Sequence, residues 1–227
     1  MSEPLGGVEL SLEARAALAL QLRAAHVRSV KVMRAIELAP RALFAPYRFQ
    51  DLASRNMALP IGCGQTMPAA ADLAWRIESL NIHPGCRVLE VGTGSGYAAT
   101  VLSLLAAEVH SVERFETLAV AAARRIESLS VANVRIGCGD GFVVTRSAGL
   151  YDRIILHVAA DNAPSLLLEA LKPGGVLAFA RRIANPERGA ARARWISVER
   201  LPDGELKETD LGPCRLPVAL AGRAGAL

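Results

Sequence analysis

Apolar residues recur with helical spacing over residues 10–25, with Ser11 placed as an N-cap, and again over residues 31–38, where Pro40 blocks continuation. Between Pro40 and Met67 the pattern is irregular, broken by Pro46, Pro60, Gly62 and Gly64. Pro68 suits the first turn of a further helix that ends near Leu80. From Arg87 onward the period changes, and short continuous apolar runs alternate with helical ones. The pattern predicts strands at 87–91, 109–113, 134–137, 153–157 and 176–180, and helices at 97–105, 116–129 and 164–171. Lys172-Pro173-Gly174-Gly175 reads as a turn before the last of these strands. Uninterrupted apolar strands between helices indicate a parallel sheet covered on both faces. Two more runs, 195–201 and 205–216, flank Pro202-Asp203-Gly204 and predict an antiparallel hairpin at the end. The expected architecture is α/β and doubly wound: a mostly parallel seven-stranded sheet with that closing hairpin. Residues 1–80 form an N-terminal helical cap with the active-site loop and residues 81–227 the core, within one integrated domain.

Composition narrows the function classes. The chain has 227 residues, enough for a sizeable core without disulfides or metals. No apolar run approaches the ~18 residues of a membrane span. The first ten residues lack a basic stretch followed by an apolar one, so no signal peptide is expected and the location is read as cytoplasmic. Cys63, Cys86, Cys138 and Cys214 are widely separated, the four histidines are scattered, and no protein metal site is expected. The net charge of +4 comes mostly from arginine, concentrated locally at Arg181, Arg182, Arg188, Arg192, Arg194 and Arg200. Such a surface suits an anionic substrate. No aromatics interleave it, so nucleic acid is not the expected partner. The segment 183–193, rich in Arg, Ala and Gly, reads as a loop.

Candidate chemistry concentrates in Val88-Leu89-Glu90-Val91-Gly92-Thr93-Gly94-Ser95-Gly96-Tyr97, a strand running into a glycine turn that opens a helix. In open α/β sheets ligands sit at this place, outside the carboxyl ends of the strands. The fold is therefore Rossmann-like. The spacing G-x-G-x-G differs from the G-x-G-x-x-G of dinucleotide sites, and no G-x-x-x-x-G-K-[ST] occurs. Glu90 beside the turn suits a cationic ligand head such as the ammonium and sulfonium of S-adenosylmethionine. Glu113, at the next strand end, is placed for ribose hydroxyls, and Asp140 in Gly139-Asp140-Gly141 for an adenine amino group, with Phe142 beside it. Gly92, Thr93, Gly94, Ser95, Gly96 and Gly141 complete the expected cofactor set.

These motifs resemble the class I methyltransferases, and more narrowly the protein-L-isoaspartate O-methyltransferases, over about residues 20–216. The resemblance includes Ala39-Pro40-Arg41-Ala42-Leu43-Phe44, Leu171-Lys172-Pro173-Gly174-Gly175 and, most specifically, Ala58-Leu59-Pro60-Ile61-Gly62-Cys63-Gly64-Gln65-Thr66. It implies S-adenosylmethionine as cofactor, isoaspartyl peptides or proteins as acceptor, and Gln65 and Thr66 as positioning groups in the catalytic centre. Two departures stand out. Met67-Pro68 occupies the place where the family carries an apolar residue and a serine, and His157 replaces a threonine at a strand end. Loss of one hydroxyl to an acceptor costs ~1–3 kcal/mol. A carboxylate acceptor is already ionised and needs no base. A hydroxyl or amine acceptor does need one, and His157 is the candidate. A same-fold methyltransferase acting on a small molecule, another protein or RNA is thus the alternative, and a non-catalytic cofactor-binding protein comes last.

Overall fold

The computed structural model describes residues 5–7, 10–143, 149–183, 192–218 and 222–224. Most of the expected loop at 183–193, including Arg188, lies outside the described residues. Helix α1 (Leu12–Ala24) is capped by Ser11, whose Oγ accepts from the amide of Ala14 at 3.2 Å. Helix α2 (Val30–Leu38) docks its N-terminus on helix α3 (Ala70–Glu78), where Glu78 accepts from the Arg28 amide at 2.9 Å.

Between α2 and α3 the irregular stretch contains a small hairpin. Strand β1 (Leu59–Pro60) pairs with β2 (Thr66–Met67), Leu59 opposite Met67. Cys63 and Gly64 at its tip both have positive φ, as a type I′ turn requires. Prolines and glycines conceal this pairing in a period-based reading. Pro68 lies outside α3, which starts later than expected. A distant side chain, Asn56, accepts from the Ala71 amide at 3.1 Å and serves the exposed end of the helix.

The remaining strands are β3 (Arg87–Val91), β4 (Glu108–Glu113), β5 (Val134–Cys138), β6 (Tyr151–Ala160), β7 (Leu171–Arg182), β8 (Arg192–Arg200) and β9 (Leu206–Arg215). They form one sheet in the order β5-β4-β3-β6-β7-β8-β9, the first five parallel and the last two antiparallel. Helices α4 (Tyr97–Ser103), α5 (Glu116–Ser128) and the short α6 (Ser165–Glu169) make the crossovers. Lys172-Pro173-Gly174-Gly175 belongs to β7 as a bulge, since pairing jumps from Tyr151–Leu171 to Arg153–Val176.

Side-chain alternation sends the strands into two apolar clusters. Leu89, Ile154, Leu156, Leu177 and Phe179 fill one face. Val88, Ile155 and Ala178 join Tyr97, Val101, Leu73, Ile77, Phe44 and Leu22 in the other, so a single core crosses from the N-terminal helices to the sheet.

Candidate active site

Strand β3 delivers the chain to a turn in which Gly92 and Gly96 have φ of 98° and 90°, conformations that side chains other than glycine rarely adopt. A Cβ on Gly92 would also lie 3.3 Å from the Cβ of His157. The next strand end locks the turn: Glu113 Oε2 accepts from the Gly94 amide at 2.8 Å, and Oε1 from the Phe115 amide at 3.0 Å. Each carboxylate oxygen retains capacity for a further donor. At the third strand end Asp140 Oδ1 accepts from the Phe142 amide at 2.9 Å and Oδ2 from the Gly222 amide at 2.7 Å. Gly222 is also tied to the neighbouring strand end, its carbonyl accepting from Arg114 Nε at 3.1 Å.

These groups surround a cavity of about 480 Å³. Gln65, Thr66, Gly92, Thr93, Gly94, Ser95, Glu113, Asp140, Gly141 and His157 all line it, with Phe142 beside Asp140. Glu90 and Gly96 do not. Gly96 stands behind the turn against α5, where an added Cβ would meet that of Ala122 at 3.1 Å. Glu90 is wholly buried, on the face of β3 shared with Val88, and its carboxylate is engaged within the protein. It accepts from Ser111 Oγ at 2.6 Å and from His157 Nε2 at 3.0 Å, and Thr93 Oγ1 bonds Ser111 in turn. Glu90, expected beside a cationic ligand head, thus lies under the turn, linked to His157 directly and to Thr93 through Ser111.

His157 is fixed by the same contact. Its Nε2 lies 3.0 Å from Glu90 Oε1, and Nδ1 is buried without a partner among the described residues.

The hairpin of β1 and β2 closes the cavity from the other side. Ile61 N donates to the Gln65 carbonyl at 2.9 Å, and Gln65 Nε2 to the Cys63 carbonyl at 3.1 Å, which directs Thr66 to the cavity. Ile61 Cδ1 comes within 3.3 Å of where a Cβ on Gly94 would stand, so the hairpin packs directly on the glycine turn. Buried Arg41 holds the segment before it, donating from Nη1 to the Ala53 carbonyl at 2.8 Å and from Nη2 to those of Met57 and Pro68 at 2.7 and 2.8 Å.

Pattern reading missed part of this wall. Asp72 and Arg76 of α3, Tyr97, Arg215 at the end of β9, and Leu216, Pro217 and Val218 after it also line the cavity. The Pro217 carbonyl accepts from the Ala159 amide at 2.7 Å, which brings the chain end across β6. The only signal for the helical pair was the i, i+4 spacing of Asp72 and Arg76. Among the described residues, three of the five buried polar side-chain atoms without a partner, Arg76 Nη1, Tyr97 Oη and His157 Nδ1, belong to cavity-lining residues. Burial pushes the Tyr97 phenol up, with Arg41 opposing, and pushes the Arg76 guanidinium below the usual arginine range.

Three arginines of the basic concentration noted in the sequence are ion-paired. Arg181 pairs with Glu208 at 2.7 Å, Arg182 with Asp161 at 2.7 Å and Arg194 with Asp210. Arg200 donates to the Leu171 carbonyl at 3.0 Å. All four cysteines are free thiols, and among the described residues no three His, Cys, Asp or Glu side chains are grouped to hold a metal ion.

Known proteins resemble this chain over almost its whole length. The family model described as Protein-L-isoaspartate(D-aspartate) O-methyltransferase matches residues 13–208. Protein-L-isoaspartate O-methyltransferase 2 of Rhodopseudomonas palustris (strain HaA2) is 42% identical over 92% of this chain and 93% of its own. Protein-L-isoaspartate O-methyltransferase of Maricaulis maris (strain MCS10) is 40% identical over 92% and 95%. A solved protein-L-isoaspartate O-methyltransferase superposes with a TM-score of 0.79 at 25% identity, over 91% of this chain and 66% of that longer one. A Plasmodium falciparum structure described as a putative member, in complex with S-adenosyl-L-homocysteine, shares the fold with a TM-score of 0.75 at 18% identity, over 90% of this chain and 97% of that one. With the glycine turn, the hairpin packed on it and the sheet order all in place, the chain belongs to the protein-L-isoaspartate O-methyltransferase family.

Proposed function

We propose that this chain transfers the methyl group of S-adenosylmethionine to the free carboxylate of isoaspartyl residues in damaged peptides and proteins. The observation that carries the reading is the seating of the β1–β2 hairpin on the glycine turn, which puts Gln65 and Thr66 in one cavity with Glu113 and Asp140. The residues present fit the cofactor. Glu113 has lone pairs free for two ribose hydroxyls, Asp140 and Phe142 flank the place for the adenine, and the glycines admit a ligand close to backbone. When bound, the cofactor supplies an electrophilic methyl group on a sulfonium.

The protein's own part is alignment. Glu113 holds the turn at Gly94 as well as the ribose, so the cofactor wall is preorganised. Thr66 and Gln65 orient the acceptor, and the buried lining of Tyr97 and Met67 keeps water from the reacting atoms. No proton has to move, because the acceptor carboxylate is ionised at neutral pH. His157 serves as a positioning residue that holds Glu90 beneath the turn. The alternative that uses it as base for another acceptor is disfavoured by the burial of Nδ1, which keeps that nitrogen from an acceptor in the cavity. Free thiols agree with a cytoplasmic setting.

The test supplies labelled S-adenosylmethionine with paired peptides that differ only in an isoaspartyl or an ordinary aspartyl linkage. Base-labile label on the isoaspartyl peptide alone is the expected result. Label that resists base, or none on either peptide, contradicts the proposal.

A further inference from the structure

Beside the cavity lies a second, more open one of about 640 Å³, bounded by Trp75 of α3 and by Pro213 and Cys214 of β9. Three residues line both: Asp72, Arg76 and Arg215. Arg76 is the unusual member. Its side chain is 5% exposed, yet the nearest carboxylate, Asp72, is 4.0 Å away and 66% exposed. The guanidinium lies 5.9 Å from the centre of the Trp195 ring, and Nη1 has no hydrogen-bond partner among the described residues.

Arg41 makes the contrast. That buried guanidinium donates to backbone carbonyls with both terminal nitrogens, leaving Nε without a partner among the described residues, and so acts as a brace. Arg76 braces nothing comparable. A buried cation without acceptors is costly unless an anion completes it, and among the described residues the one carboxylate near it is distant and solvated. The position is also the right one: Arg76 faces the compartment of Thr66 on one side and the open compartment on the other. Position 68, where the resemblance leads one to expect an acceptor-binding hydroxyl, is a proline.

Resting on the isoaspartyl reading above, we infer that Arg76 is the acceptor-recognition residue of this enzyme. Its guanidinium binds one oxygen of the isoaspartyl α-carboxylate and leaves the other free to react. The second cavity takes the flanking peptide, with the exposed Arg215 at its edge. Asp72 is a weak internal competitor for the same guanidinium.

The experiment titrates protein loaded with S-adenosylhomocysteine, reading the fluorescence of Trp75 and Trp195. The probes are an isoaspartyl hexapeptide and its neutral counterpart, in which the α-carboxylate is a carboxamide. Wild type should prefer the acid by about tenfold or more, the size of one charge-assisted hydrogen bond. Arg76→Gln should reduce that preference to within about twofold, and Arg76→Lys should keep part of it. Should Arg76→Gln fail to fold, the exposed Asp72→Asn decides: removal of the competitor should tighten acid binding about threefold and leave the amide unchanged. A folded Arg76→Gln that keeps the preference, or an Asp72→Asn that weakens acid binding, overturns the assignment. Wild type binding both peptides equally overturns Arg76 but not the isoaspartyl reading. Binding of S-adenosylhomocysteine with neither peptide overturns both.

Discussion

On the cofactor wall, both carboxylates at the strand ends are held by backbone amides: Glu113 by those of Gly94 and Phe115, Asp140 by those of Phe142 and Gly222. On the acceptor wall, Thr66 comes from a two-residue strand, Arg76 from a helix and Arg215 from the last strand, joined by contacts that span the chain. The first wall is turn chemistry at consecutive strand ends. The second is tertiary assembly, dependent on Arg41 and on the Ala159–Pro217 hydrogen bond. A change on either side should therefore have different reach, local on the cofactor wall and diffuse on the acceptor wall.

The largest effect is expected at Glu113. Glu113→Ala removes the acceptor for the Gly94 amide together with two ribose bonds, each worth about 1.5–3 kcal/mol to a charged group. Calorimetry should show S-adenosylhomocysteine binding weakened by about 100-fold or more, with the melting temperature less affected. A loss of only a few-fold would place the ribose elsewhere.

Next comes Arg41→Met. Loss of its carbonyl contacts at Ala53, Met57 and Pro68 should cost about 3–4 kcal/mol of stability and raise the KM for an isoaspartyl peptide. Affinity for S-adenosylhomocysteine should change little. Equal damage to both ligands would erase the distinction between the walls.

His157 sharpens it further. His157→Ala strips a donor from wholly buried Glu90, and unfolding measurements should show about 2–3 kcal/mol lost. His157→Gln can still donate to Glu90 and should retain most of the activity on an isoaspartyl peptide. A Gln variant that folds yet loses all turnover would restore the base role.

The smallest effect lies remote from both walls. A hydrogen bond from His110 first, and then the charge and hydrogen bond of Arg87, hold the Glu108 carboxyl below its ordinary value of 4.5 against the opposing cost of burial. A depressed folded value contributes stability above the unfolded value, and that stability is lost as pH falls below about 4.5. Glu108→Gln should therefore flatten acid unfolding in that range only, and by a modest amount for so solvated a group. An unchanged acid limb would remove Glu108 from that transition.

Legibility followed the same division. The alternation of apolar runs with helical ones is a local property, so the parallel sheet, its order of elements and the closing hairpin could be read directly, as could the glycine turn and the place of Glu113 at the next strand end. The side on which Glu90 lies follows from the two-residue alternation of β3, a point that its proximity to the turn obscured. The β1–β2 hairpin was hidden by Pro60 and flanking glycines, and the start of α3 by a cap from distant Asn56. Arg76 carried no motif. Its significance rests on burial and on the absence of an acceptor near Nη1, which no spacing encodes.

The most direct measurement is a crystal structure of the protein grown with S-adenosylhomocysteine. Ribose hydroxyls on Glu113, adenine between Asp140 and Phe142, and the sulfur directed toward Thr66 are the predicted result. Ligand bound outside this crevice, or a Glu113 side chain rotated away from it into solvent, would contradict the account.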